Sequence, residues 1–180
     1  IIQLTPNVKK IIVSVPEDIE FQAGQYVQLK IPSVEGARAF SIANSPQAAG
    51  HIELHVRLVD QGQGTTYLHE KLKEGDALSF SAPYGHFFIR KSQNKPMIFI
   101  AGGTGLSSPK SMIDELLNAG CSQDITLFHG VCAKADLYYQ DYFLEMEKTY
   151  KNFKYIPALS NKNEGEEWHG APVRATNLKV

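Results

Sequence analysis

The hydrophobic pattern of this chain changes character midway, and that change constrains the fold more than any other feature of the sequence. In the first half, apolar and polar residues alternate over residues 27–31 and 52–58, which is the period-two pattern of half-buried strands. Further strands are predicted over residues 10–15 and 77–82, and glycines separate these segments at short intervals. Short strands broken by frequent turns predict a small antiparallel β-barrel.

The second half shows strands, a glycine turn and helices in succession. Residues 97–101 are apolar without alternation, which predicts a strand buried on both faces. A glycine turn follows over residues 102–105, and apolar residues then recur at helical spacing over residues 112–117. A second strand and helix are predicted over residues 125–150, and a third strand over residues 153–158. This order is typical of an α/β domain with a parallel sheet.

The two patterns predict two domains, an antiparallel β-barrel over residues 1–92 and an α/β domain over residues 93–180. Residues 161–167 resemble a solvated loop, and no further strand and helix are legible before Val180. A sheet of three parallel strands is thin for a nucleotide-binding domain, and residues 1–4 look like the interior of a strand. We therefore expect the α/β domain to be incomplete and the chain to be part of a longer protein.

Composition excludes several classes of function. The 18 basic and 19 acidic residues give a formal net charge of −1, so no basic surface is expected for nucleic acid or for an anionic membrane. The longest apolar stretch, residues 96–102, is too short to cross a bilayer, and we expect a cytoplasmic protein. Cys121 and Cys132 match neither a disulfide framework nor a zinc motif, and two cysteines cannot hold a 2Fe–2S cluster.

The segment Arg-Ala-Phe-Ser (38–41) is the most informative motif. An arginine can neutralise a phosphate through paired charge-assisted hydrogen bonds, and an aromatic residue two positions later on the same strand face can stack on a flat ring system. Ser41 places a hydroxyl on the opposite face. Taken alone, the segment is equally consistent with a strand that has an exposed arginine, Arg38, and a core phenylalanine, Phe40.

Other segments carry weaker signals of a nucleotide site. Gly-Thr-Thr (64–66) can begin a short helix whose free N–H groups attract a phosphate. Gly-Gly-Thr-Gly (102–105) lies between an apolar strand and a helix, the context of a dinucleotide-binding turn, although it is neither the Rossmann pattern nor a Walker loop. By the period-two rule His55 and Arg57 share one strand face, which on its own favours a solvent-facing surface.

In their order and spacing, these segments resemble the ferredoxin-reductase superfamily of flavoproteins. Arg-Ala-Phe-Ser (38–41) is similar to the family's flavin motif Arg-x-Tyr/Phe-Ser, and the glycine turn at 101–105 resembles its nucleotide turn. Within the superfamily the resemblance is closest to the reductases of multicomponent phenol hydroxylases and related diiron monooxygenases. The segments that carry this closer resemblance are 62–66, 105–109 and 157–161.

The resemblance implies that the barrel binds FAD. Arg38 would bind the pyrophosphate, Phe40 would lie against the flavin in place of the commoner tyrosine, and Ser41 would reach the N5 edge, where hydride arrives. The resemblance assigns a strand segment to the ribityl and adenosine-phosphate side of FAD, namely His55, Val56 and Arg57. It assigns a turn to the pyrophosphate, namely Gly64, Thr65 and Thr66.

The resemblance also implies a pyridine nucleotide on the glycine turn, bound by Gly102, Gly103, Thr104 and Gly105. Thr104 would lie beside the nicotinamide, so Ser41 and Thr104 are the candidate catalytic residues. NADH is favoured over NADPH, because Cys132 stands where many relatives place an arginine, although Lys134 could supply a compensating charge.

The implied reaction is hydride transfer from NADH to FAD, followed by single-electron transfer through an iron–sulfur domain outside this chain to an oxygenase of aromatic-hydrocarbon catabolism. Two alternatives stay open. One is a stand-alone NAD(P)H-dependent flavin or ferric reductase of the same superfamily. The other is a non-catalytic nucleotide-sensing module, because the superfamily's late Cys-Gly-x-Pro segment has no counterpart before Val180.

Overall fold

The computed structural model describes residues 1–16, 19–90, 95–160, 168 and 170. Within these residues the strands and α-helices are, in chain order, β1 (Ile2–Thr5), β2 (Val8–Ser14), β3 (Tyr26–Lys30), β4 (Ala37–Ser41), β5 (His51–Arg57), α1 (Gln63–Thr66), β6 (Ser79–Tyr84), β7 (Met97–Gly102), α2 (Ser107–Asn118), β8 (Ile125–Val131), α3 (Gln140–Thr149) and β9 (Phe153–Leu159). A π-helical turn, Tyr67–Lys71, continues α1, and 3₁₀ turns, Gly103–Leu106 and Lys134–Asp136, precede α2 and α3.

Two antiparallel sheets build the first domain, one in the order β1-β2-β5 and the other in the order β4-β3-β6. A bridge between Ile42 and Leu54 connects the end of β4 to β5 and so joins the two sheets. The alternating residues Val27, Leu29 and Ile31 are at most 3% exposed and fill the interior. The predicted antiparallel barrel is confirmed, with β2 beginning two residues earlier and β6 two residues later than the sequence pattern indicated.

The second domain has a parallel sheet in the order β7-β8-β9, as predicted. Helix α3 packs on this sheet through Phe143, which is fully buried. Its ring lies 6.2 Å from the ring of Phe153 and 5.2 Å from the ring of Tyr155, both on β9. This aromatic packing fixes α3 against the last strand of the described sheet.

Helix α2 lies between the parallel sheet and the barrel, and it is therefore buried along most of its length. Its polar residues reach the barrel: Lys110 Nζ donates to the Ala43 carbonyl at 3.2 Å, and Ser111 Oγ donates to the Asn44 carbonyl at 2.6 Å. The two accepting carbonyls belong to the residues two and three positions after Ser41. The position of α2 is thus tied directly to the end of β4.

Gly24, on the barrel side, adjoins the same helix. A β-carbon at Gly24 would lie 2.2 Å from Met112 Cε and 2.1 Å from the carbonyl oxygen of Phe87, and the backbone there has a φ of +98°. Only glycine fits this position without displacing its neighbours. The close approach shows that the two domains are packed tightly against each other.

Two strands are buried differently from what their patterns predict. Strand β5 was expected to be half-buried, but residues 52–56 are all buried, because side chains of the second domain cover the face that carries Glu53 and His55. Strand β7 was expected to be buried on both faces, but Ile98 and Ile100 are 51% and 59% exposed. Nothing in the described part of the chain covers that side of this edge strand.

Some predictions fall outside the described residues, namely the domain boundary at residue 92 and the loop over residues 161–167. Among the residues that the structure describes, no helix is both long and apolar enough to cross a membrane. Cys121 and Cys132 are free thiols.

Candidate functional site

Strand β4 carries a cation, an aromatic ring and a hydroxyl within a few residues of one another in sequence. Arg38 is exposed, and its Nη1 donates to the carbonyl oxygens of Glu35 at 3.0 Å and Ala37 at 3.1 Å. Phe40 is half-buried and packs against the barrel core, while Ser41 is half-buried at the end of the strand. The motif therefore places Arg38 and Phe40 on one face of β4 and Ser41 on the other, at the end of the strand.

The turn that begins α1 lies against the stem of Arg38. A β-carbon at Gly64 would be 2.9 Å from Ile31 Cδ1, which would have to shift, and 3.6 Å from Arg38 Cγ, so the turn packs closely against both side chains. The hydroxyl of Thr65 closes the turn: it donates to the Gly62 carbonyl and accepts from the Val59 amide, both at 3.1 Å. Because that hydroxyl is already engaged, an anion at this turn would meet Arg38 and backbone groups.

The glycine turn connects β7 to α2, as the sequence predicted. Gly103 has a φ of +50°, a conformation that side-chain-bearing residues seldom adopt. A β-carbon at Gly102, Gly103 or Gly105 would meet no atom within 4 Å. The turn is therefore open, and a ligand can approach its backbone.

A cavity of about 580 Å³ opens in front of this turn, within the size range of small-molecule and cofactor sites. Both domains line it. The barrel contributes Asn7, Val8 and Arg57, and the glycine turn contributes Gly102, Gly103 and Thr104. The remaining lining residues lie at or just after the ends of β8 and β9 or precede α3: Gly130, Val131, Cys132, Asp136, Tyr138, Ala158 and Ser160.

The structure divides the predicted site residues into two regions. Arg38, Phe40 and Ser41 lie on β4, and the turn of Gly64, Thr65 and Thr66 approaches Arg38. Gly102, Gly103 and Thr104 line the cavity, and Gly105 lies on the exposed side of the same turn. Arg57, which the resemblance assigned to the ribityl and adenosine-phosphate side of FAD, lines the cavity with the glycine turn.

Two other predicted residues are buried. The side chain of Val56 belongs to the barrel core and is 0% exposed, which leaves only its backbone for a cofactor. The side chain of His55 is also 0% exposed, and it contacts residues of the second domain. The solvent-facing surface that the alternation of β5 suggested for His55 is therefore wrong.

A buried polar cluster between the domains was not predicted from the sequence. Glu53 Oε1 accepts hydrogen bonds from His55 Nε2 and from the Tyr139 hydroxyl, both at 2.7 Å, and it lies 3.6 Å from Lys110 Nζ. Lys110 also pairs with Asp114 at 3.1 Å. No local signal in the sequence distinguished Glu53, because it occupies a polar position of the alternation like His55.

The electrostatics of this cluster follow from its contacts. Burial raises the pKa of Glu53, but the hydrogen bond from His55, the charge of Lys110 and the hydrogen bond from Tyr139 outweigh it and hold the pKa at about 2. Burial lowers the pKa of His55 below its usual value, and the opposing effect of Glu53 is smaller. At neutral pH the cluster therefore contains an ionised Glu53 and a neutral His55.

A second buried histidine lies behind the glycine turn. Burial lowers the pKa of His129 to about 4, and the nearby Gly103 backbone only partly opposes the shift. Its Nδ1 is 3.2 Å from the Tyr155 hydroxyl. His129 is therefore neutral at physiological pH and packs as a polar core residue beneath the turn.

Two family models match this chain. The model of the oxidoreductase FAD-binding domain matches residues 1–89, and the model of the oxidoreductase NAD-binding domain matches residues 99–178. Together they cover both of the domains described above.

Curated relatives include phenol hydroxylase proteins. The chain is 52% identical to the phenol hydroxylase P5 protein of Acinetobacter pittii over 93% of its length, and 48% identical to the reductase component of phenol 2-monooxygenase of Pseudomonas sp. strain CF600 over 94%. These matches cover 47% and 48% of the two relatives, so the chain spans about half of their length.

A solved structure with a similar fold is the crystal structure of a cytochrome P450 reductase from Amycolatopsis. It is 30% identical to the chain, with a TM-score of 0.85. The match covers 91% of this chain and 50% of that protein.

Proposed function

Because the chain belongs to the ferredoxin-reductase family of FAD- and NAD-binding oxidoreductases, we propose that it is the flavin- and nucleotide-binding part of an NADH-dependent reductase component of a multicomponent phenol hydroxylase. The observation that carries this proposal is the pairing of two sites in one chain. Arg38, Phe40 and Ser41 form one site on β4, and the open glycine turn with its cavity forms the other. When bound, FAD supplies a centre that accepts hydride and releases single electrons.

The residues on β4 fit FAD. Arg38 can neutralise a pyrophosphate through charge-assisted hydrogen bonds, and the Gly64 turn brings backbone groups beside it. Phe40 presents a ring beside the place where an isoalloxazine would lie, and Ser41 presents a hydroxyl that can donate to its N5 edge. These roles need no acid or base, because the protein's task is to hold and orient two flat rings.

The cavity residues fit a pyridine nucleotide, with the backbone of the glycine turn at its pyrophosphate and Thr104 beside the nicotinamide. NADH is the proposed nucleotide. Cys132 and Asp136 line the part of the cavity that follows β8, and neither offers a positive charge to a 2′-phosphate. A carboxylate at Asp136 would repel one.

The proposed route beyond FAD leads through an iron–sulfur domain outside this chain to an oxygenase component, in the cytoplasm. The relative from Pseudomonas is a reductase component of a phenol 2-monooxygenase, which supports an aromatic-ring monooxygenase as the partner. Neither nucleic acid nor a membrane is part of this proposal.

The experiment uses the full-length protein, purified with and without the substitution Arg38→Ala. We expect bound FAD, reduction of ferricyanide by NADH, and an FAD dissociation constant about tenfold higher in the variant, because one charge-assisted contact is lost. Lys148→Ala removes a charge that is 74% exposed on α3 and should leave FAD binding unchanged.

Measurements on the same purified protein distinguish the proposed function from the two alternative functions. A stand-alone flavin reductase would reduce free flavin and would not support hydroxylation of phenol by an added oxygenase component. A nucleotide-sensing module would bind NADH without reducing ferricyanide. Protein that takes up no FAD would overturn the proposal altogether.

A further inference from the structure

His55 belongs to the barrel, yet both nitrogens of its ring are engaged at the domain junction. Nε2 lies 2.7 Å from Glu53 Oε1. Nδ1 lies 3.1 Å from Ser107 Oγ, the first residue of α2, and 3.3 Å from the Tyr138 hydroxyl. The side chain thus connects strand β5 to the two segments of the second domain that flank the nucleotide cavity.

The protonation of His55 follows from its neighbours. Glu53 is ionised and can only accept, so the proton of the neutral ring lies on Nε2 and Nδ1 is an acceptor. The other charged groups facing the ring are Lys110 of α2 and Lys10 of β2, which both disfavour an imidazolium. His55 therefore accepts a hydrogen bond from a hydroxyl of the second domain.

The two hydroxyls beside Nδ1 also contact the glycine turn. Ser107 Oγ lies 3.0 Å from the Thr104 carbonyl, and the Tyr138 hydroxyl lies 3.3 Å from the Gly103 carbonyl. Each hydroxyl has one proton, so the two protons serve three acceptors: Nδ1 and the two carbonyls. When one hydroxyl donates to His55, the other can donate to the turn. An unbroken polar connection therefore runs from Glu53 to the peptide groups of the turn.

The barrel end of this connection is adjacent to β4. His55 follows Leu54, which forms a bridge with Ile42, and Ile42 follows Ser41. Apart from covalent neighbours, three contacts therefore connect the residue proposed to face flavin N5 with the turn proposed to hold the nicotinamide: the Ile42–Leu54 bridge, the His55–Ser107 hydrogen bond and the Ser107–Thr104 hydrogen bond. Each contact is a backbone pair or a hydrogen bond with little freedom to stretch.

We propose that His55 is a positioning residue for hydride transfer, which acts through Ser107 and Tyr138 to fix the glycine turn relative to β4. The inference rests on the proposed function, because it concerns the relative placement of NADH and FAD. Reacting rings must approach closely, and a small displacement lowers the rate far more than it weakens binding. His55 itself touches neither proposed ligand with its side chain.

Two substitutions of His55 separate the ends of the connection. The amide of His55→Gln reaches the region of Nε2 and retains a partner for Glu53, whereas the amide of His55→Asn lies near Nδ1 and retains a partner for Ser107. In stopped-flow measurements on the FAD-loaded full-length protein, we expect His55→Gln to lower the limiting rate of flavin reduction by NADH about tenfold. His55→Asn should restore most of that rate.

Binding should change little in either variant, with the dissociation constants for NAD⁺ and FAD within about twofold of wild type. Ser107→Ala removes the same connection from the other domain and should reproduce the slow reduction. The control is Tyr142→Phe, which removes a hydroxyl of the same junction that donates to Asp114 at 2.8 Å and contacts neither His55 nor the turn. Its reduction rate should equal that of wild type.

A second measurement needs no cofactor. Hydrogen–deuterium exchange of peptides covering residues 101–107 in the cofactor-free protein should be faster in His55→Gln and Ser107→Ala than in wild type and Tyr142→Phe. If His55→Gln does not fold, Ser107→Ala decides the outcome.

Unchanged reduction and exchange in these variants would overturn the inference, as would a change confined to the nucleotide dissociation constant. A wild-type protein that is not reduced by NADH would refute the proposed function instead. The exchange experiment would then still decide whether His55 holds the turn.

Discussion

Replacing Glu53 with glutamine tests how strongly the buried cluster holds the two domains together. Glu53 is 8% exposed, and its Oε1 accepts hydrogen bonds from His55 and Tyr139 at 2.7 Å each. Lys110 Nζ lies 3.6 Å away, and Lys10 Nζ is 4.0 Å from the other oxygen. The substitution keeps the shape of the side chain but removes its charge, which leaves Asp114 as the carboxylate paired with buried Lys110.

The magnitude follows from the pKa of Glu53, which falls from 4.5 to about 2 on folding because the partners of the carboxylate outweigh the cost of its burial. A shift of that size corresponds to about 3 kcal/mol. Because the pKa is depressed in the folded state, this stabilisation is fully present above about pH 4.5 and is lost as the pH falls through about 2. Glu53→Gln should therefore lower the free energy of unfolding by about 3 kcal/mol at pH 7.

The assay is urea unfolding followed by circular dichroism at pH 7 and pH 3. The difference in the free energy of unfolding between wild type and Glu53→Gln should be smaller at pH 3 than at pH 7, because at pH 3 the wild-type protein has lost part of the stabilisation by the Glu53 carboxylate. Glu145→Gln is the matched control, because Glu145 is 69% exposed in its pair with Lys148, and its effect should stay under about 0.5 kcal/mol. The reasoning would be refuted if Glu53→Gln lowered the free energy of unfolding no more than the control does. It would also be refuted if the effect of Glu53→Gln were as large at pH 3 as at pH 7.

Three further predictions follow from single positions. In thermal unfolding, Gly24→Ala should lower the free energy of unfolding by about 2–4 kcal/mol, because its methyl group would lie 2.1 Å from the Phe87 carbonyl oxygen. The control is Gly75→Ala: Gly75 also has a positive φ, but a β-carbon there would have nothing within 4 Å, so the cost should be only about 1 kcal/mol. Gly64→Val should weaken FAD retention, measured by gel filtration and flavin absorbance, because a β-carbon there meets Ile31 Cδ1 at 2.9 Å and presses the turn away from Arg38; retention equal to wild type would mean that the turn does not hold FAD. Cys132→Arg should raise the ratio of kcat/KM for NADPH to that for NADH about tenfold, since the new charge would line the cavity; an unchanged ratio would show that the 2′-phosphate binds elsewhere.

The class of each domain was predictable because it depends on local periodicity. Val27, Leu29 and Ile31 alternate in the sequence and point into the barrel, and the glycine turn after residues 97–101 is followed by a helix, as expected. Burial was less predictable. Alternation in β5 shows that Glu53 and His55 share a face, but only the packing of the second domain determines that this face is covered rather than solvated.

The positions of the candidate site residues were also only partly predictable from the sequence. Arg38, Phe40 and Ser41 are close in sequence and share a strand, so one motif was enough to group them. The placement of Arg57 in the cavity at the glycine turn and the junction of His55 with Ser107 depend on segments about fifty residues apart. No local pattern reports such contacts, because they arise only when the two domains pack.

The buried position of helix α2 has a practical consequence for exchanging parts between such proteins. The helix follows the glycine turn, and its Lys110 and Ser111 donate hydrogen bonds to the backbone just beyond β4, so it fixes the distance between the two domains. A nucleotide-binding domain grafted from another protein would inherit the right spacing only if it presented matching donors at these two positions. A domain exchange that considered only the interdomain linker would connect the two domains but would not fix the distance between the glycine turn and β4.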